Sequence, residues 1–118
     1  MNKLLEKFAN QLRIENLTIH CEDNFYYLMN EDSTEDFVLL QLGSEELTVW
    51  SYDLRELDLC FFCSVLEELF AQYRVIFPHI EDPKDMHLLQ SLGYTEIDFS
   101  DEDVDEDTKR NPSFGKVI

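Results

Sequence analysis

Apolar residues recur every three to four positions near the start of the chain. Leu4, Leu5, Phe8 and Leu12 follow this spacing. Residues spaced in this way lie on one face of an α-helix. The pattern therefore predicts an amphipathic helix from Asn2 to about Arg13.

Four segments with strand character follow the helix. Each is rich in β-branched, aromatic or aliphatic residues and is bounded by polar turn residues. They are Leu17 to Cys21, Phe25 to Met29, Phe37 to Leu42 and Leu47 to Tyr52. The connections at 22–24 and 43–44 are short and polar, as in tight hairpins, and Glu31 to Asp36 is predicted to form a longer acidic loop. The pattern indicates a meander of three or four antiparallel strands.

The second half of the chain alternates between segments with helical spacing of apolar residues and segments with strand character. The predicted elements are, in order, a helix within Asp53 to Tyr73, a strand at Val75 to Ile80, a helix from Pro83 to Leu92 and a strand at Tyr94 to Phe99. Asp82 is placed to cap the start of the second of these helices, and Gly93 is placed to end it.

This order of elements predicts an α+β fold, in which two or three helices pack on an antiparallel sheet of about four to six strands. A length of 118 residues suits one domain, covering 1–118. Residues 100–118 form an acidic C-terminal segment within it. Phe114, Val117 and Ile118 close this segment and are placed to tie its end back onto the domain.

The composition predicts a folded protein of a reducing compartment. Nine Phe and five Tyr residues are enough for a packed core, whereas disordered chains of high charge have few aromatics. No apolar run approaches the roughly 18–20 residues of a membrane span, and the N-terminus has no signal-like apolar region. Three cysteines argue against a disulfide scaffold, so we expect a cytoplasmic protein without membrane contact.

The net charge of the chain is the feature that says most about its function. Twenty-six acidic residues face nine basic ones, which gives a formal net charge of −17. A charge of roughly 2–8 is enough to keep a small domain soluble. Ten acids and no base lie between Arg13 and Arg55, and nine acids and no base lie between Lys84 and Lys109. This distribution argues against direct nucleic-acid binding, which needs a basic surface, and predicts a basic protein partner.

The predicted partner-binding residues are two acidic clusters and four further acids. They are Glu31, Asp32, Glu35 and Asp36; Asp98, Asp101, Glu102, Asp103, Asp105, Glu106 and Asp107; and Glu22, Asp23, Glu45 and Glu46. Same-face residues on a strand or a helix lie about 6 Å apart. Rows of such carboxylates can therefore approximate the phosphate array of DNA.

In size, acidity and aromatic content the chain resembles bacterial and phage DNA-mimic proteins. It is most similar in size to a small neisserial mimic that binds the histone-like protein HU. The resemblance covers the whole chain without a diagnostic motif, and DNA mimics share no single fold. It implies that the carboxylates of the chain occupy the DNA-binding surface of a basic partner. We expect a non-enzymatic protein that is a monomer rather than a dimer.

Two other binding functions fit the same acidity. An immunity protein or antitoxin would neutralise one basic nuclease through a few aromatic anchors. Candidates for these anchors are Tyr26, Tyr27, Trp50 and Tyr52, although we expect most of them to be core aromatics. The segment Leu4 to Ala9 followed by strands is also similar to the opening of type III secretion chaperones, which are acidic α/β dimers.

The sequence favours neither a metal site nor a cofactor site. Cys60 and Cys63 form a single C-x-x-C without a second ligand pair, and their apolar neighbours predict small core residues. The alternating aspartates from Asp101 to Asp107 resemble the start of a calcium-binding loop. Glu106 stands where that loop needs glycine and Pro112 where it needs glutamate, so no dedicated site is predicted.

One segment resembles an enzyme family. Leu88 to Ile97 is similar to the helix–glycine–strand ending of acetyltransferase domains. The pyrophosphate loop of that family contains glycine, whereas the corresponding segment here, Asp53 to Asp58, is acidic and has none, which implies that cofactor binding is lost. His79 and His87 lie near carboxylates but have no nucleophile placed by a motif, so no catalytic group is predicted.

Overall fold

A computed structural model of the chain describes residues 3–12, 16–53, 59–99 and 105–118, with side chains except at 33–36 and 109. The helices are α1 (Lys3–Gln11), α2 (Leu59–Leu69), α3 (Pro83–Ser91) and α4 (Glu106–Lys109). The strands are β1 (Leu17–Glu22), β2 (Phe25–Asn30), β3 (Ser33–Leu42), β4 (Glu46–Asp53), β5 (Arg74–Phe77), β6 (Thr95–Ile97) and β7 (Ser113–Val117). They form one sheet in the order β1-β2-β3-β4-β5-β7-β6.

The α+β class is confirmed, but the predicted strand and helix counts are too low. The described residues form seven strands instead of four to six, and four helices instead of two or three. All neighbouring strands are antiparallel except β4 and β5, which are parallel.

Strands β1 to β4 form the predicted meander. Asp23 adopts a positive φ of 56° in the first hairpin turn, a conformation that aspartate tolerates better than most residues. The Asn30 side chain accepts a hydrogen bond of 2.8 Å from the Asp32 amide, which tightens the second turn. The prediction of a loop from Glu31 to Asp36 was wrong, because β3 already begins at Ser33.

Helix α1 packs its apolar stripe against α2. The ring of Phe8 lies between Phe62 and Phe70, with ring centroids 5.4 and 5.8 Å away. All three rings are almost fully buried. Helix α2 also contacts α3, so these three helices and one face of the sheet enclose a single core.

The parallel pair β4–β5 separates along its length. The two strands pair only from Glu46–Arg74 to Thr48–Ile76. Strand β4 then continues to Asp53, and its register with β3 shifts at Trp50, which is the extra residue of a β-bulge. A bulge increases local twist and bends the strand. The strand ends therefore part, and side chains from both line the gap.

Both predicted caps of α3 are confirmed. The Asp82 side chain accepts a hydrogen bond of 2.9 Å from the Lys84 amide at the start of the helix. At the other end Gly93 has a φ of 95°, and the amide of Tyr94 bonds to the carbonyl of Leu89. This is the Schellman arrangement, in which the left-handed residue is most often glycine.

The acidic C-terminal segment contains a strand that the sequence did not predict. Strand β7 inserts between β5 and β6, and Phe114 is buried in the core. The amide of Ile118 also bonds to the carbonyl of Tyr73, at 3.0 Å. The end of the chain is thus tied to the domain as expected, but Val117 is 70% exposed.

Candidate binding edge and cleft

The sheet order brings several acidic segments to one edge. The β2–β3 turn lies at this edge, and antiparallel pairing of Phe37 with Asp53 brings the end of β4 beside it. Because β5 is parallel to β4, it ends at the same edge. Strand β6 also ends there, where Ile97 pairs with the first residue of β7, Ser113.

Ten described carboxylates lie at these strand ends or in the segments next to them. We call them the acidic edge; they are Glu31, Asp32, Asp53, Glu81, Asp82, Asp85, Asp98, Asp105, Glu106 and Asp107. All are exposed except Asp85, which is half-buried. The edge crosses six strands, and the five intervals between them are about 4.8 Å or more, so it is at least about 24 Å long. One strand of duplex DNA presents about seven phosphates over that length.

The acidic edge thus contains only some of the predicted partner-binding residues. The acidic edge includes six of the predicted residues, namely Glu31, Asp32, Asp98, Asp105, Glu106 and Asp107. Sequence reasoning missed the other four, Asp53, Glu81, Asp82 and Asp85. The signal was present, because Asp53 directly follows the predicted strand Leu47 to Tyr52, and Glu81 directly follows the predicted strand Val75 to Ile80, with a predicted helix between them. The carboxyl ends of such parallel strands meet at one edge.

The predicted acids at the two hairpins lie elsewhere. Glu22, Asp23, Glu45 and Glu46 stand at the opposite end of the sheet, separated from the acidic edge by the length of β4, about 23 Å. Glu46 forms an ion pair of 3.8 Å with Arg74. Asp101, Glu102 and Asp103 lie outside the described residues, as do the side chains of Glu35 and Asp36.

Few charges on the acidic edge are neutralised within the described part of the chain. Arg110 lies 3.8 Å from Asp107 in an ion pair whose side chains are both strongly exposed, and such pairs contribute little. Lys84 is the other described basic side chain among these carboxylates. The backbone amide of Thr108 donates to Asp105 and lowers the pKa of that carboxyl. The edge is therefore an anionic row at neutral pH.

Repulsion along this row predicts that salt stabilises the fold. The screening length falls from about 30 Å at 0.01 M to about 8 Å at 0.15 M ionic strength, so distant carboxylates cease to repel one another. We expect the thermal midpoint to rise by about 4 °C, corresponding to roughly 1 kcal/mol. Calorimetry at the two salt concentrations measures this shift, and identical midpoints would contradict it.

A cleft of about 330 Å³ opens at the middle of the acidic edge, where β4 and β5 part. Trp50 and Tyr52 line it from β4, and His79 and Asp85 line it from the other side. The Tyr52 hydroxyl donates a hydrogen bond of 2.8 Å to Asp85. Burial and this hydrogen bond hold the pKa of the Tyr52 phenol above its ordinary value.

Hydrogen bonding and ring packing fix the aromatic wall of this cleft. The Trp50 indole N–H donates to the Gln41 side chain at 3.0 Å. The Phe99 ring packs edge-on against both Trp50 and His79, at centroid distances of 5.5 and 5.7 Å. Both ring nitrogens of His79 are buried and have no hydrogen-bond partner among the described residues. The cleft thus combines ordered rings with an unsatisfied polar group.

The four predicted aromatic anchors divide between two places. Trp50 and Tyr52 line the cleft, and both are half-buried. Tyr26 and Tyr27 lie on β2, also half-buried, and Tyr27 packs against His20 and Phe37. Only the first pair adjoins the acidic edge.

The C-x-x-C cysteines differ from each other. Cys63 is buried as predicted, but the prediction for Cys60 was wrong, because this residue faces solvent in the first turn of α2. Burial, reinforced by Glu67, raises the pKa of the Cys63 thiol to about 12. Among the described residues no group of three His, Cys, Asp or Glu side chains is arranged to hold a metal ion.

The raised thiol pKa predicts a loss of stability in alkali. The unfolded thiol ionises near its ordinary value of 9.0, whereas the folded thiol stays neutral until about 12. Stability is therefore complete below pH 9 and falls as the pH rises above it, by about 1 kcal/mol at pH 10 from this group. Urea unfolding at pH 8 and 10 measures the loss. Cys63→Ala should reduce it and Cys60→Ala should not; equal losses in both variants would refute the assignment.

No described helix is long and apolar enough to cross a membrane. No protein-family model matches the chain, and a search of curated proteins gives no significant match. The proposals below therefore rest on the acidic edge and the cleft.

Proposed function

We propose that the protein is a DNA mimic, whose acidic edge occupies the DNA-binding surface of a basic partner such as a histone-like nucleoid protein. The observation that carries this proposal is the alignment of ten carboxylates along one edge with only two described cationic side chains among them. A partner whose lysines and arginines normally contact phosphates meets a comparable density of negative charge there. Binding would block or modulate the partner's contact with DNA.

Several carboxylates of the acidic edge are held in fixed positions by hydrogen bonds. This supports specific recognition of a partner rather than attraction by net negative charge alone. Asp82 and Asp105 are held by hydrogen bonds from helix-start amides, and Asp32 accepts a hydrogen bond of 2.6 Å from the Asn16 side chain. Carboxylates at fixed positions lose less conformational freedom on binding than those on a mobile tail. The proposed partner surface therefore meets a preorganised anionic row.

In this role the protein has no catalytic activity and needs no cofactor. It acts as a monomer in the cytoplasm. Cys21, Cys60 and Cys63 are free thiols, and two of them are exposed, which agrees with a reducing compartment. Electrostatic steering makes association fast and sensitive to ionic strength.

Affinity capture with duplex DNA as competitor tests the proposal. The immobilised protein is exposed to lysate of its source cells at moderate salt, with and without excess duplex DNA. We expect a DNA-binding protein to be retained and to be released when the duplex is added. Retention of a single nuclease would instead favour an immunity protein or antitoxin. Retention of a secreted effector, with dimerisation of the bait, would favour a secretion chaperone.

A further inference from the structure

The cleft between β4 and β5 is lined by aromatic rings and carboxylates. Its aromatic groups are Trp50, Tyr52 and His79, and its carboxylates include Glu81 and Asp85. None of the residues that line it is lysine or arginine. A cation placed in this cleft therefore meets negative charge and aromatic rings, and no lysine or arginine lines the cleft.

The size of the cleft limits its ligand. A volume of about 330 Å³ lies at the lower end of the range for small-molecule sites, which is roughly 300–1,000 Å³. It suits one amino-acid side chain or a small amine. The cleft also opens on the acidic edge, so a side chain projecting from a docked partner reaches it without crossing the sheet.

The chemistry of the lining favours a guanidinium over an ammonium group. A guanidinium is planar, stacks on aromatic rings and donates hydrogen bonds in several directions in one plane. The Trp50 indole, fixed by Gln41 and Phe99, supplies an ordered ring. Asp85 already accepts one hydrogen bond from Tyr52, and a carboxylate has acceptor positions left for further donors.

We propose that this cleft binds the guanidinium of an arginine side chain that the basic partner inserts between β4 and β5. The inference rests on the proposed function only in assigning that arginine to a DNA-binding protein. The guanidinium site itself belongs to the cleft, so it is testable without any partner.

Trp50 supplies the measurement, because it is the single tryptophan of the chain and lines the cleft. Fluorescence is recorded during titration with N-acetyl-arginine amide at constant ionic strength. N-acetyl-citrulline amide, which has nearly the same shape without the charge, is the matched control ligand, and N-acetyl-lysine amide is the second. A ligand of this size is expected to saturate with a Kd of about 1 mM.

Two variants locate the site. Asp85→Asn keeps an acceptor for Tyr52 and should weaken binding of the arginine probe about tenfold or more. Glu81→Gln changes an exposed rim residue and should weaken it about threefold, which provides a test if Asp85→Asn does not fold. Asp23→Asn removes the same charge from the β1–β2 turn, at the opposite end of the sheet from the cleft, and should leave the affinity within about twofold.

The outcomes separate this inference from the proposed function. Saturable binding of the arginine probe, with weak binding of the citrulline and lysine probes, supports the guanidinium site. An absent signal, binding of the citrulline or lysine probe as tight as that of the arginine probe, or equal effects of Asp85→Asn and Asp23→Asn would overturn it. If the probe fails while a DNA-binding partner still competes with duplex, only this inference falls; if the probe binds and no such partner exists, only the proposed function falls.

Discussion

Phe77→Ala is expected to lower the free energy of unfolding by about 3–5 kcal/mol. Phe77 is completely buried at the centre of an aromatic cluster. Its ring centroid lies 5.4 Å from Tyr94, 5.7 Å from Tyr52 and 6.3 Å from Phe62. Truncation removes the buried ring and leaves a cavity between α2 and the sheet, because neighbouring rings fixed by their own contacts relax only partly.

Urea unfolding followed by circular dichroism measures this loss. Val117→Ala is the matched control, because Val117 is also a strand residue but is 70% exposed. It should cost less than about 0.5 kcal/mol. A loss below about 1 kcal/mol in Phe77→Ala would show that this cluster is not the centre of the core.

Removing three charges from the acidic edge is expected to weaken partner binding about tenfold or more at low salt. The variant carries Glu31→Gln, Asp98→Asn and Glu106→Gln, which are spread along the edge and have no described ion pair. Surface charge pairs contribute roughly 0.2–1 kcal/mol each, so three together give about 1–3 kcal/mol. The difference should shrink as salt rises, because screening removes it.

The control variant removes three charges from the opposite end of the sheet. It carries Glu22→Gln, Asp23→Asn and Glu45→Gln, so both variants have the same net charge. Asparagine suits the positive φ at position 23 at least as well as aspartate. We expect a loss of less than about threefold, and isothermal titration calorimetry compares the two. Equal losses would mean that net charge, and not the acidic edge, governs binding.

Local signals explain why parts of the fold were predictable. The α3 caps depend on residues within one turn of the helix ends, Asp82 and Gly93, and both act as the sequence indicates. The apolar stripe of α1 likewise identifies its buried face. These features need no knowledge of the rest of the chain.

The strands that the sequence did not predict depend on pairing between distant segments. Strand β7 contains Gly115 and follows Pro112, both of which weaken strand propensity, yet it lies between β5 and β6. Gly115 fits because a side chain there would press on Ile97, at 3.1 Å. In the same way β3 extends back to Ser33, because its partner β2 continues to Asn30. Burial and pairing in the sheet override local propensity at these positions.

The acidic edge was predictable only in part for the same reason. The clusters around Glu31 and Asp107 are visible as runs in the sequence. Their union with Asp53 and Asp85 requires the parallel pairing of β4 with β5, which no single segment indicates. The cleft also depends on the bulge at Trp50, which is a property of the pairing with β3.

Displacement of DNA tests the central claim most directly. A fluorescently labelled duplex is bound to a purified histone-like protein of the HU type, and the acidic protein is added while the anisotropy is followed. We predict that the wild-type protein releases the duplex in a saturable manner, that the acidic-edge variant needs about tenfold more protein, and that the opposite-end variant resembles wild type. If the duplex stays bound at every concentration, or if both variants release it as well as wild type does, the acidic edge is not a DNA mimic for such a partner.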